Sequence, residues 1–375
     1  MLLHIGAPKT GTTFLQELMW HHRHRLAACG VHYPGEIPEA HFDAAIDLQG
    51  VDFNDWHNDR AEGAWDRLVE ELRGLSGTAV VSHELFGDAS EEVVDRALGD
   101  LSFADVELVL TLRDLARQIP AAWQEDLKNR HYMSFEEYAA AVRPDNDVGA
   151  WYGNEFWRRQ DVPQVLQRWT RHLPTDKVHL VTLPRRGAAQ EELWRRFATV
   201  VGVDPAAADP AHPELRRNRS LGQHEAQVLR RVNVLMEDRV SWPVYGEVMA
   251  HLTEQVLGQV SDPILLPAEH RGWVAQAAQE RVEALRGSGH PVVGDLDELL
   301  VDTVPPADAR HPDAGSDSDL LGTAVELLAT VLFLSPVPPE EPLRPRSLVA
   351  VDRLSARAYG VAVAVRDVAR RRSTP

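Results

Sequence analysis

The chain is short of cysteine, of lysine and of positive charge, and it has no long uninterrupted apolar run. One cysteine, Cys29, among 375 residues excludes an internal disulfide framework and suits a reducing compartment. A formal net charge of −18 excludes a basic face broad enough to wrap a polyphosphate, so nucleic acid is not an expected partner. The longest apolar run, Leu320 to Leu334, contains Glu326 and falls short of the ~20 residues that cross a bilayer. No membrane span is expected, and the run reads as a buried helix. A glycine-rich stretch begins too close to Met1 to leave room for a secretory leader, so a cytoplasmic protein is expected. Of 39 basic residues only Lys9, Lys128 and Lys177 are lysines. In a chain that prefers arginine, a lysine inside a glycine loop is not generic surface charge.

What is present is an ordinary globular composition, 44% hydrophobic and 26% charged, enough for a core of normal size. Apolar runs at Leu2 to Ile5, Thr78 to Ser82, Val106 to Leu112 and Val178 to Leu183 read as buried strands. Helical spacing lies between them, as in Ala61 to Leu75 and Leu115 to Lys128. Strands alternating with helices predict a three-layer α/β fold around a parallel sheet, of the P-loop NTPase-like kind. Ligands of such sheets bind beyond the carboxyl ends of the strands. From about Gln190 the pattern turns helical, with candidates at Glu191 to Val201, Gln223 to Arg239, Val244 to Val260 and Gly272 to Arg286. The expected organisation is an α/β domain over 1–300, a Pro, Asp and Ser-rich linker over 301–319 and a helical C-terminal extension over 320–372.

The stretch "HIGAPKTGTT", His4 to Thr13, carries the chemistry. Gly6 and Gly11 keep the glycine spacing of a G-x-x-x-x-G-K-[ST] loop, but Thr12 stands where the lysine belongs. The backbone N–H groups of such a loop, with a helix N-terminus behind it, still cradle an anion. Thr12 and Thr13 add hydroxyls. Lys9, placed early in the loop, is set to stabilise an oxygen on which charge develops as a bond breaks.

"GAPKTGTT" resembles the 5′-phosphosulfate loop of sulfotransferases that use PAPS (3′-phosphoadenosine 5′-phosphosulfate), bacterial members included. The resemblance implies that Gly6, Ala7, Pro8, Lys9, Thr10, Gly11, Thr12 and Thr13 form the cosubstrate loop. In it Lys9 contacts the leaving oxygen, and Gly11, Thr12 and Thr13 hold the phosphosulfate. It implies 3′,5′-adenosine diphosphate as product, no metal, and a small-molecule or carbohydrate acceptor. Arg113, ending the most apolar strand, matches the family's 3′-phosphate arginine. The serine that follows eight residues later in the family is Ala121 here. Arg117 or Gln118 is a candidate to substitute for it. "RRNRSL" offers Arg216, Arg217 and Arg219 as a basic segment closing the nucleotide site.

Sulfuryl transfer to a hydroxyl or amine needs a base for the acceptor's proton. "VVSHELF" supplies His83 and Glu84. The family uses a histidine in some members and a glutamate, often in an S-x-E pattern, in others; Ser82 and Glu84 match the latter. Neighbours on an extended segment point to opposite sides, so one of the two should face the substrate. Two other functions compete with this one. An ATP-dependent small-molecule kinase would need a lysine after Gly11 and an acidic strand end, for which Asp114 is the candidate. A non-catalytic nucleotide-binding relative would fit the missing serine.

Overall fold

In the computed structural model, the residues described are 1–52, 57–146, 150–189, 191–212, 215, 220–236, 239–258, 262–306 and 309–334. Six strands form one wholly parallel sheet: β1 (Leu2–His4), β2 (Val31–His32), β3 (Thr78–Ser82), β4 (Glu107–Leu112), β5 (Val178–Thr182) and β6 (Val292–Val293). Their order is β2-β3-β1-β4-β5-β6. The chain builds outward from β1 to one side, returns through β3, and then crosses to β4 on the other. β1 is therefore the switch point, where a crevice opens beyond the strand ends.

Period-two alternation places Leu3, Val81, Leu108, Leu110 and Leu180 on one face of the sheet and Leu2, Val80, Val109 and Val181 on the other. The first face is covered by α3 (Ala40–Gln49), α4 (Ala64–Arg73), α5 (Glu91–Asp100) and α9 (Val162–Trp169), through residues such as Leu48, Trp65, Val94 and Val165. The second is covered by α1 (Thr12–His21), α2 (Arg23–Ala28) and α10 (Glu191–Val201), through Leu15, Leu26, Trp194 and Phe197. This is the predicted layered fold, with both faces of a parallel sheet dry.

A third apolar cluster joins α6 (Leu115–Lys128), α7 (Phe135–Ala141), α8 (Ala150–Gln160), α11 (Gln223–Met236), α12 (Trp242–Gln255) and α13 (Ala268–Ser288). Helix α13 spans two cores: Val274 and Ala278 pack here, Val282 and Leu285 under the sheet. The edge strands β2 and β6 escape sequence reading because two residues carry no periodicity.

The run Leu320 to Leu334 is helical, within α14 (Asp317–Leu334), but it is not a buried helix. Leu320 and Thr323 are buried, whereas Leu321, Val325 and Leu328 are 57–66% exposed. A helix apolar on every side has only one stripe to place against a neighbour. Among the described residues no helix is long and apolar enough to cross a membrane. Residues Met1–Ala329 form one compact unit, and Thr330–Pro375 a second, described only over the last turn of α14.

Candidate functional site

The loop after β1 sits at the switch point and is held from inside. Thr10, fully buried, donates its hydroxyl to the Ala7 carbonyl and meets Thr111 Oγ1 at 2.6 Å. Gln118 and Gln160 donate to the Pro8 carbonyl at 3.0 and 3.3 Å. Arg113 Nη1 donates to the Lys9 carbonyl at 2.9 Å. Three successive carbonyls thus turn inward. Across a trans peptide the next N–H points the other way, so the amides of Lys9 and Thr10 face out. The Thr12 and Thr13 amides, at the start of α1, have no acceptor within the helix. The resulting surface is a nest of donors at a helix N-terminus.

Backbone shape dictates the glycines. Gly6 has φ 95°, and a Cβ there would lie 2.9 Å from Glu84 Cβ. Gly11 has φ 85°, and a Cβ there would lie 2.6 Å from Leu193 Cδ2. Lys9 itself stands at φ 64°, a region that L-residues with side chains rarely occupy. Such strain persists where surroundings over-determine it, and functional loops are where it concentrates. The turn sends the Lys9 side chain toward α6, where Nζ meets Glu125 Oε2 at 2.6 Å. Lys128 lies 4.0 Å from the same oxygen.

A buried polar chain ties this loop to three strands. His4 meets Ser82 Oγ at 2.8 Å through Nδ1 and Thr111 Oγ1 at 3.1 Å through Nε2. Burial lowers the His4 pKa to about 4, so the ring is neutral and links a donor to an acceptor. The run Ser82–His4–Thr111–Thr10 fixes the loop against β3 and β4.

At the end of β4 lies a set of guanidiniums, Arg281 buried and Arg113 and Arg117 half-buried. Arg117 pairs with Asp114 through Nε and donates to the Pro184 carbonyl at 3.0 Å through Nη1. Arg281 on α13, buried, is 3.5 Å from Gln118 Oε1. Burial lowers both Arg113 and Arg281 to about 10, which leaves them charged. Arg113 Nε, Arg117 Nη2, and Arg281 Nε and Nη2 are buried and find no acceptor among the described residues. Donors of one sign without acceptors are the chemistry an anion satisfies. Asp114 caps α6, accepting from the Arg117 amide at 2.9 Å, as well as pairing with the Arg117 side chain. Ala121 lies within α6, one turn beyond Arg117.

His83 is extended and Glu84 opens a 3₁₀ turn, Glu84–Asp88, so the two side chains meet different surroundings. His83 lines a cavity of about 370 Å³ with Thr13, Gln16, Tyr33 and His41. Its Nδ1 accepts from the Leu85 amide at 3.2 Å. Glu84 faces the loop: Gln16 Nε2 donates to it at 3.3 Å, and the Thr12 hydroxyl hydrogen-bonds to it. Burial alone would raise the Glu84 carboxyl. His83, its own backbone N–H, Lys9 and Thr12 outweigh that and hold it below the usual carboxylate value. A second cavity, of about 380 Å³, opens on the other side of the loop, from Pro8 and Lys9 to Glu125, Asp126, Tyr138 and Tyr152.

Sequence reading places Lys9, Thr12, Thr13, Glu84 and Arg113 around one loop, and they are gathered there. Arg216, Arg217 and Arg219 lie outside the described residues. Reading did not find Arg281, Glu125, Asp126 or Gln160. The Arg281 signal is visible in retrospect: it falls on the apolar stripe Val274, Ala278, Leu285, where an arginine has to be paired or functional.

No family model matches the chain, and no curated protein is similar enough to match it. Among solved structures, a sulfotransferase from Alicyclobacillus acidocaldarius aligns over 65% of this chain and 97% of its own, at 17% identity and a TM-score of 0.39. A likeness so distant carries no argument about activity, which has to come from the loop and its surroundings.

Proposed function

We propose that the chain is a sulfotransferase that moves a sulfuryl group from PAPS to a small-molecule or carbohydrate acceptor. The observation that carries this reading is the Lys9 turn. Its carbonyl is held inward by Arg113, its amide faces out beside the α1 N-terminus, and its ammonium stands at the rim of a cavity. A loop lysine after Gly11 would lie along a polyphosphate; one before it reaches the far end of a shorter anion.

The roles follow from position. The amides of Gly11, Thr12 and Thr13 and the Thr13 hydroxyl would hold the 5′-phosphosulfate. Arg113 and Arg117, with unpaired buried N–H groups, would take the 3′-phosphate, with the Arg281 charge behind them supplying what the absent serine does not. Bound PAPS supplies an activated S–O bond. Glu84, ionised and within the field of Lys9, takes the acceptor hydroxyl's proton as that oxygen bonds to sulfur. Lys9 exchanges Glu125 for the bridging oxygen that receives the electron pair, stabilising charge where it develops. His83, turned to the other cavity, is the weaker candidate for base.

The Asp114 carboxylate is engaged by α6 and by Arg117, which leaves the kinase reading without its metal ligand at that strand end. The test is calorimetry with 3′,5′-adenosine diphosphate against ATP with Mg²⁺. The diphosphate should bind at least ~10-fold more tightly, the effect of one charged hydrogen-bonding group. A preference for ATP overturns the proposal.

A further inference from the structure

Sulfuryl transfer leaves the acceptor unspecified, and the cavity beside Lys9 carries an unbalanced charge. Asp88 pairs with Arg159 at 2.7 Å and lies 3.7 Å from Arg158. Glu155 pairs with Arg158 at 2.8 Å and Arg159 at 3.0 Å. Glu125 pairs with Lys9 at 2.6 Å, and at the exposed rim Asp52 meets His57 at 3.0 Å. Each cation lining this cavity is thereby committed. Asp126, next to Glu125 on α6, lines the same cavity, and its carboxylate feels Arg159 only at a distance, with no hydrogen bond or ion pair among the described residues.

A half-buried carboxylate with no partner of its own is costly to keep ionised. Burial pushes Asp126 up to about 7, with Arg159 pulling it down and Glu125 pushing it further up. Its surroundings are aromatic. Tyr138 and Tyr152 both lie within its electrostatic reach. Trp151 meets Tyr152 edge-on at 4.8 Å, and His131 Nδ1 lies 3.1 Å from the Tyr152 hydroxyl. Aromatic rings beside a lone carboxylate favour a cation over a neutral or anionic guest.

We infer that this cavity binds an organic cation, with its ammonium on Asp126 and its hydrocarbon body against Tyr152 and Trp151. Resting on the function proposed above, the acceptor class is then an alcohol or phenol that also bears a protonated amine. The ammonium has no lone pair and is not sulfated. The hydroxyl, at the Lys9 end, forms the new S–O bond while the bridging S–O bond breaks; its proton passes to Glu84 and the electron pair to the departing phosphate oxygen. The Lys9 charge does not oppose the guest, because Glu125 already neutralises it.

The experiment is calorimetric titration of the full-length protein with tyramine and with 4-ethylphenol, its neutral counterpart, in the wild type and in Asp126→Asn. Tyramine should bind at least ~10-fold more tightly, the scale of a charged hydrogen bond, and the variant should abolish that preference. Tyr152→Leu should weaken tyramine more than 4-ethylphenol, which gives a second reading that does not touch the carboxylate. Equal binding of the two probes, no binding of tyramine, or a preference that survives Asp126→Asn overturns the inference. Titration with 3′,5′-adenosine diphosphate separates the two ideas. Diphosphate binding without cation preference removes only this inference, whereas cation preference without diphosphate binding upholds the cation site and removes the transfer function.

Discussion

Lys9 Nζ lies 2.6 Å from Glu125 Oε2, so the lysine that marks the loop is held by a carboxylate two turns or more into the helix after β4. The pair links the two elements that flank the switch point. It keeps the ammonium at the cavity rim, and burial of Glu125 is outweighed by the charges of Lys9 and Lys128, which hold that carboxyl below its usual value. Lys9→Ala is expected to lower single-turnover release of 3′,5′-adenosine diphosphate from PAPS by at least ~10²-fold, the scale of one lost transition-state donor. Thermal melting should change little, because the Glu125 side chain left behind is 40% exposed and water can solvate it. Full activity in the variant would remove Lys9 from the mechanism.

Arg113 holds the loop, and under the proposed function it also takes the 3′-phosphate. Arg113→Lys keeps the charge but not the planar fork that reaches the Lys9 carbonyl. Affinity for 3′,5′-adenosine diphosphate should fall ~10- to 100-fold, the range for a charged hydrogen bond. Adenosine 5′-phosphosulfate, which lacks the 3′-phosphate, should lose less. Equal losses for both ligands would mean that Arg113 acts only on the loop.

Glu84 and His83 are separable by pH as well as by mutation. Glu84→Gln should reduce turnover by ~10²-fold or more, as for loss of a general base. His83→Ala should reduce it far less. The Glu84 carboxyl is held below its ordinary 4.5, so with a neutral acceptor the rate should stay level from neutrality down toward that value. A rate that already falls between pH 6.5 and 5.5, in step with histidine protonation, would point to His83 or its neighbours instead.

His4 makes the fold acid-sensitive. It is buried and neutral, with a pKa lowered to about 4 from 6.5. As pH falls, the unfolded chain takes the proton first, so stability declines between about 6.5 and 4, by up to about 3 kcal/mol. His41, lowered by burial to about 3, adds in the same direction. Asp126, raised to about 7, opposes them, since the folded state is the one that gains its proton early. His4→Asn should be less stable at pH 7, yet its urea midpoint should fall less steeply toward pH 4.5 than that of the wild type. The comparison cancels His41 and Asp126. Parallel slopes would place the sensitivity elsewhere.

Asp313 is an anchor outside the α/β core. It accepts from the Phe135 and Glu136 amides at 2.9 Å each and from Gln227 at 2.8 Å. It thereby caps α7. Asp313→Ala should cost about 1–2 kcal/mol in chemical denaturation, typical of a lost helix cap. Loss of less than a few tenths would mean that Ser134, which also caps α7, suffices alone.

Local pattern was enough for the four interior strands, for α6 and α10 to the residue, and for the position of the glycine loop. In each of these, periodicity or glycine spacing acts within a dozen residues. It also placed Arg113 at a strand end. It failed at α14, where an apolar composition promised burial. Burial depends on how many neighbours surround a helix, and composition does not carry that.

The amino-acid order alone decided that a parallel sheet forms and that a glycine loop with an early lysine follows its first strand, because hydrophobic period and glycine conformation are local properties. Folding decided the rest. Glu125 and Gln160 meet the loop, and Arg281 meets Gln118 across 163 positions, only through packing of α6, α8 and α13. A charge finds its counter-charge, or is left without one, through space and not along the chain.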